Sequence, residues 1–84
     1  MNFSSYYIDR EVVEMKVKNE VLISYRVKAG KTQAQIAKEA QISTRGYLKY
    51  ELDGAMPKAS TAILIAKALH TTVEQLWGGN PTPA

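Results

Sequence analysis

The chain has 84 residues, of which 45% are apolar and 23% charged, with a net charge of +3; this is the balance of one small globular domain rather than of a disordered chain. It contains no cysteine and a single histidine, His70, which excludes a disulfide framework, a thiolate zinc site and a paired catalytic histidine. No apolar run approaches the roughly twenty residues of a membrane span and nothing reads as a signal peptide, so the cytoplasm is the expected location.

Charge is unevenly placed. Residues 1–31 carry six basic and four acidic side chains and residues 32–58 carry four and three, whereas the last 26 residues hold only Lys67 and Glu74. A mildly basic chain suits a nucleic-acid partner, and its electrostatic footprint belongs to the first two thirds. Without a glycine-rich phosphate loop or paired carboxylates no catalytic constellation is present, and neither enzyme activity nor a cofactor is expected.

Residues 1–18 read in two ways. Val13, Met15 and Val17 alternate with Glu14 and Lys16 as in a half-buried strand, and the same stretch can be a helix capped by Asp9 with Val13, Val17 and Val21 on one face. The β-branched content favours the strand. Phe3, Tyr6 and Tyr7 form an aromatic cluster suited to docking on the body or on a second subunit, unless this segment is a partly ordered arm.

The first secure helix runs from Asn19 to Ala29, with Leu22, Tyr25 and Ala29 on its apolar face and Gly30 as its stop. A second begins at Thr32, which forms a capping box with Gln35, and repeats Ile36, Ala37 and Ala40 at helical spacing. A third is capped by Ser43; its Tyr47 and Tyr50 share a face, and Thr44, Arg45, Gly46 and Lys49 point outward. Asp53-Gly54 and Pro57 break the pattern. A fourth helix, 60–69, aligns Ala59, Ala62, Ile63, Ala66 and Leu69, leaving Leu64 outward as Leu48 is on the third helix, both as candidate subunit contacts. Thr72 and Gln75 predict a second capping box, around a fifth helix with Val73, Leu76 and Trp77, and Gly78-Gly79 closes it. The tail 79–84, rich in proline, is expected to be disordered.

Arg26, Gly30, Thr32, Gln33, Ile36, Ala37, Ser43, Tyr47, Tyr50, Glu51, Pro57, Ala66, Leu69, Val73 and Leu76 lie in register with a known pattern. Over 19–78 the chain resembles the Xre/Cro-type helix-turn-helix family of phage and bacterial repressors. The resemblance implies an all-α, five-helix, lambda-repressor-like DNA-binding domain at 19–78, preceded by the arm or strand 1–18. The chain departs from the family where Gln41 replaces the usual turn glycine, where Asp53 takes the left-handed position after the family's glutamate, at Lys31, and at Gly46 inside the third helix.

On this reading the third helix, 43–52, reads the major groove. Arg45 is the leading base contact, since its fork matches guanine O6 and N7; Lys49, Thr44 and the backbone at Gly46 join it. The start of the second helix, 32–40, is favourable for a phosphate, and the resemblance assigns that contact to Gln33; Lys31, Thr32, Ser43 and Lys58 are further phosphate candidates. The resemblance also implies a structural ion pair between Arg26 and Glu51, expected to be at least partly buried. Tyr47, Tyr50 and Trp77 have the spacing of core residues rather than of a single-strand stacking platform. The expected function is a transcriptional regulator, most simply a repressor, of bacterial or phage origin, bound as a homodimer to a palindromic operator. The alternative is an antitoxin or anti-repressor that grips a protein partner through residues 1–17. No metal and no membrane contact is expected.

Overall fold

The computed structural model describes residues 17–78; the strand, helix and aromatic-cluster readings of 1–16 and the disordered-tail reading of 79–84 lie outside the described residues. Five helices follow one another: α1 (Glu20–Lys28), α2 (Gln33–Glu39), α3 (Thr44–Leu52), α4 (Ala59–Ala68) and α5 (Val73–Trp77). α2 packs on α3 and α4, while α1 packs on α5 and on α3, and α4 meets α5. None of the described helices is long and apolar enough to cross a membrane.

The helix starts follow from their caps. Asn19 accepts the Leu22 N–H at 3.0 Å, Ser43 the Gly46 N–H at 2.9 Å, and Thr32 and Gln35 close a full capping box; each removes a helix-end donor that would otherwise be orphaned. At α5 only half of the expected box forms. Thr72 accepts the Gln75 N–H at 3.1 Å, but the Gln75 side chain turns away to accept the Tyr25 hydroxyl at 3.2 Å. α4 starts at Lys58, with no side-chain cap.

Four of the helix ends share one device, a left-handed residue that lets the chain turn back on the last carbonyls. These are Gly30 (φ 71°), Gln41 (φ 64°), Gly54 (φ 73°) and His70 (φ 56°). After α2 the Gln41 N–H donates to the Lys38 carbonyl and the Ile42 N–H to the Ala37 carbonyl, both at 3.0 Å. That is a Schellman turn with glutamine in the glycine position. Each non-glycine residue held this way costs about 1–2 kcal/mol. Asp53 does not take the left-handed role expected of it: its φ is −106°, and Gly54 carries the reversal instead. Glycine supplies that conformation without a Cβ clash, so the chain places it one residue later.

The core gathers Leu22, Ile36, Ala37, Ala40, Tyr47, Ile65, Ala66, Leu69 and Leu76, with Tyr25, Ile42, Tyr50, Leu64, Val73 and Trp77 packed against it. Three readings of buried faces change. On α4 Ala62, Ala66 and Leu69 are buried as expected, but Ile63 is 47% exposed and Ile65 is buried in its place, with Ala59 exposed; the buried face is turned by about half a residue's rotation (~50°). Leu64, expected outward, packs on the core, and Leu48 is half-buried. Ala29, in phase with Leu22 but at the C-cap of α1, is exposed.

Candidate nucleic-acid interface

The site is built around one carboxylate. Glu51, near the end of α3, is 1% exposed and receives four hydrogen bonds. Arg26 of α1 donates from Nε to Oε2 at 2.5 Å and from Nη2 to Oε1 at 3.3 Å. Gln33, at the start of α2, donates from Nε2 to Oε1 at 3.0 Å. The Tyr47 hydroxyl, one turn earlier in α3, donates to Oε2 at 2.6 Å. Each oxygen therefore accepts two donors, from three helices, and the Glu51 main-chain carbonyl accepts the Asn19 N–H at 2.8 Å.

Burial pushes the Glu51 carboxyl towards its neutral form, but the bonds from Arg26, Gln33 and Tyr47 outweigh it and hold the pKa below the usual carboxylate range. The same contacts act in reverse on the donors. Burial raises the Tyr47 phenol, and the bond to Glu51 raises it further, far above its ordinary value. The bond to Glu51 likewise outweighs desolvation at Arg26 and keeps the guanidinium charged. The result is a fixed ion pair, with Arg26 15% exposed at the surface side.

Arg26 also donates from Nη1 to the Lys31 carbonyl at 3.0 Å, which fixes the loop between α1 and α2. Tyr47 is fully buried, and Tyr50 meets it edge-to-face with centroids 6.4 Å apart. α3 is thus clamped along its inner face, by aromatic packing in the middle and by the carboxylate network near its end.

The outer face of α3 is left clear. Thr44, Arg45 and Lys49 are exposed, and Gly46 is half-buried beside the cap. Gly46 is confined by that cap, because a Cβ there would stand 3.1 Å from Ser43 Oγ. The only carboxylate within α3 is the buried Glu51, so no negative side chain stands among the outward basic ones. Ser43, Thr32 and Lys58 are exposed at helix starts.

Two residues assigned to phosphate have other tasks. Lys31 sends its ammonium to Glu39 Oε1 at 3.1 Å and to the Ala68 carbonyl at 3.0 Å, bridging the ends of α2 and α4; cations are favoured at such C-termini. Gln33 spends one N–H on Glu51, and its amide keeps a second. The Tyr47 and Gln33 bonds to Glu51 are absent from the sequence reading. The first was accessible, since residues four apart share a helix face. The second spans eighteen positions and has no local signal. Among the described residues no cluster of His, Cys, Asp and Glu can hold a metal ion.

A helix with an exposed polar face, preceded by a tight left-handed turn and a capped supporting helix, defines the class. The chain belongs to the helix-turn-helix family, whose pattern matches residues 22–76. It is also similar to the cryptic phage CTXphi transcriptional repressor RstR of Vibrio cholerae, with 41% identity over 64 residues. That match takes in 76% of this chain and 56% of the relative, so the chain spans little more than half the length of the protein it resembles. No solved structure matches it.

Proposed function

We propose that this chain is a sequence-specific double-stranded DNA-binding repressor, with α3 in the major groove and the start of α2 on the phosphate backbone. One observation carries the reading: α3 is braced from behind by the buried Glu51 network and displays Thr44, Arg45 and Lys49 outward with no acidic neighbour on the helix. Rigidity without an inward-facing reading residue is what base recognition requires, because a side chain free to wander gains little from a fixed hydrogen-bond pattern. Arg45 reads guanine, Lys49 and Thr44 contact neighbouring bases or the backbone, and the half-buried Gly46 permits close approach of the helix. Ser43, Thr32, Lys58 and the second Gln33 N–H serve the phosphates. The Thr32 cap leaves the first-turn N–H groups of Gln33 and Ala34 without intrahelical acceptors, which favours an anion at that end. The likeness to a transcriptional repressor supports the same conclusion.

One module of this size buries little surface, so the working form is a homodimer on a two-fold operator whose half-sites lie roughly 34 Å apart. Selection of bound duplexes from a random pool tests the reading directly. A palindromic consensus, bound in a way that weakens steeply with salt, is expected. Arg45→Ala relaxes preference at one position per half-site, at a cost of roughly 1–3 kcal/mol there. Gln33→Ala weakens all sequences alike and also lowers stability, because Glu51 loses a donor. Recovery of no enriched sequence, or a gel shift indifferent to salt, refutes the proposal.

A further inference from the structure

A groove of about 580 Å³ lies where the start of α1 meets α5, lined by Val17, Val21, Gly54, Leu76 and Trp77 together with polar neighbours. Its apolar wall is uncovered by described residues: Val17 is 71% and Val21 46% exposed. Trp77 contributes a second anomaly. Its Nε1 is, among the described residues, the only buried side-chain nitrogen or oxygen without a hydrogen-bond partner. Trp77 is half-buried on the groove wall, an aromatic surface that an apolar stretch of chain can cover.

The course of the chain beside the groove is fixed. The Asn19 main-chain N–H is held by the Glu51 carbonyl at 2.8 Å, and the Asn19 side-chain amide donates to the Leu76 carbonyl at 3.1 Å. The Val17 carbonyl lies so close over Gly54 that any Cβ there would overlap it. Residues 1–16 therefore depart from the rim of the groove itself. Extended chain covers at most ~3.3–3.6 Å per residue, which keeps Met15 and Val13 within about 7 and 14 Å of Val17. Both are apolar, as the groove wall is.

We propose that residues 1–16 of the same chain occupy this groove, with Val13 and Met15 covering Val21 and Trp77. A tethered segment leaving from the rim has a far higher local concentration than the same segment of a second copy. The N-terminal segment is then a sixth structural element that binds α1 to α5, on the side of α1 that does not carry Arg26 to Glu51.

Trp77 is the only tryptophan and the chain has no cysteine, so both optical and site-specific labels report on the groove without interference. In the full chain, Val13→Asp with Met15→Asp is expected to shift Trp77 emission to the red and raise its quenching by acrylamide. A milder variant, Val13→Ala with Met15→Ala, guards against loss of the fold and is expected to move the emission the same way by less, while Met15→Cys carrying a nitroxide reports on contact between copies. Mixing spin-labelled chains with isotope-labelled, unmodified chains is expected to leave the Trp77 Nε1–H resonance of the unmodified chains sharp. Broadening in the mixture would overturn the proposal in favour of a second copy as occupant. Emission and acrylamide quenching unmoved by both double substitutions would overturn it in favour of an open groove.

Discussion

Removing Arg26 is the most informative perturbation, because it separates a buried clamp from a surface ornament. Arg26→Ala takes away two of the four hydrogen bonds to a carboxylate that is 1% exposed, and also the bond to the Lys31 carbonyl. Gln33 and Tyr47 remain, so the charge is not wholly abandoned. Losing one partner of a buried pair costs ~3–5 kcal/mol, and the two remaining donors place the expected loss near the lower end, about 3 kcal/mol. For a domain of this size each kcal/mol moves the melting midpoint by roughly 4–8 °C, giving a drop of about 12–24 °C. Thermal and urea melts of Arg26→Ala, Glu51→Gln and the double variant measure it. The double variant is expected to be less destabilised than the sum of the two, because the neutral amide no longer needs a counter-charge. A loss below about 1 kcal/mol for Arg26→Ala, the range of an exposed pair, would refute the claim that this network holds α3.

Acid should act through the same carboxylate. The Glu51 carboxyl in the unfolded chain titrates near 4.5 and lower in the folded one, so its stabilisation is complete above that value and is lost as the pH falls below it. Glu51→Gln is expected to flatten that part of the stability–pH curve; an unchanged slope contradicts the assignment. Tyr47 gives the opposite limb: the unfolded phenol ionises near 10.0 and the folded one well above, so its stabilisation is present below pH 10.0 and declines above it. Tyr47→Phe is expected to cost ~1.5–3 kcal/mol at neutral pH, the range for a bond to a charged group, and to remove the alkaline decline in denaturant melts. The two glycine turns should differ, since a Cβ at Gly30 meets nothing within 4 Å whereas one at Gly54 overlaps the Val17 carbonyl. Gly30→Ala is expected to cost about 1–2 kcal/mol from backbone strain alone, and Gly54→Ala measurably more; equal losses in paired urea melts would show that the Val17 contact yields freely.

Much of this molecule is decided by short-range chemistry, and that part was legible in the residue order. Caps at Asn19, Thr32 and Ser43, the stop at Gly30, and the helical repeats of Ile36, Ala37 and Ala40 depend on neighbours within one turn. The spacing from Arg26 to Glu51 and the polar outer face of α3 carried the family pattern, and with it the left-handed turn at Gln41. What the sequence could not decide is where competing local options are settled by distant partners. Gln75 could complete its own capping box or bond Tyr25, and packing of α1 on α5 brings Tyr25 within reach. Ile63, Leu64 and Ile65 are similar in hydropathy, so only the position of α2 and α5 against α4 selects Ile65 for the core. Asp53 and Gly54 could each have carried the reversal, and the close passage of Val17 demands the residue without a Cβ. Gln33 joins Glu51 for the same reason: tertiary packing brings an amide eighteen residues away to a carboxylate that burial makes expensive to leave unpaired.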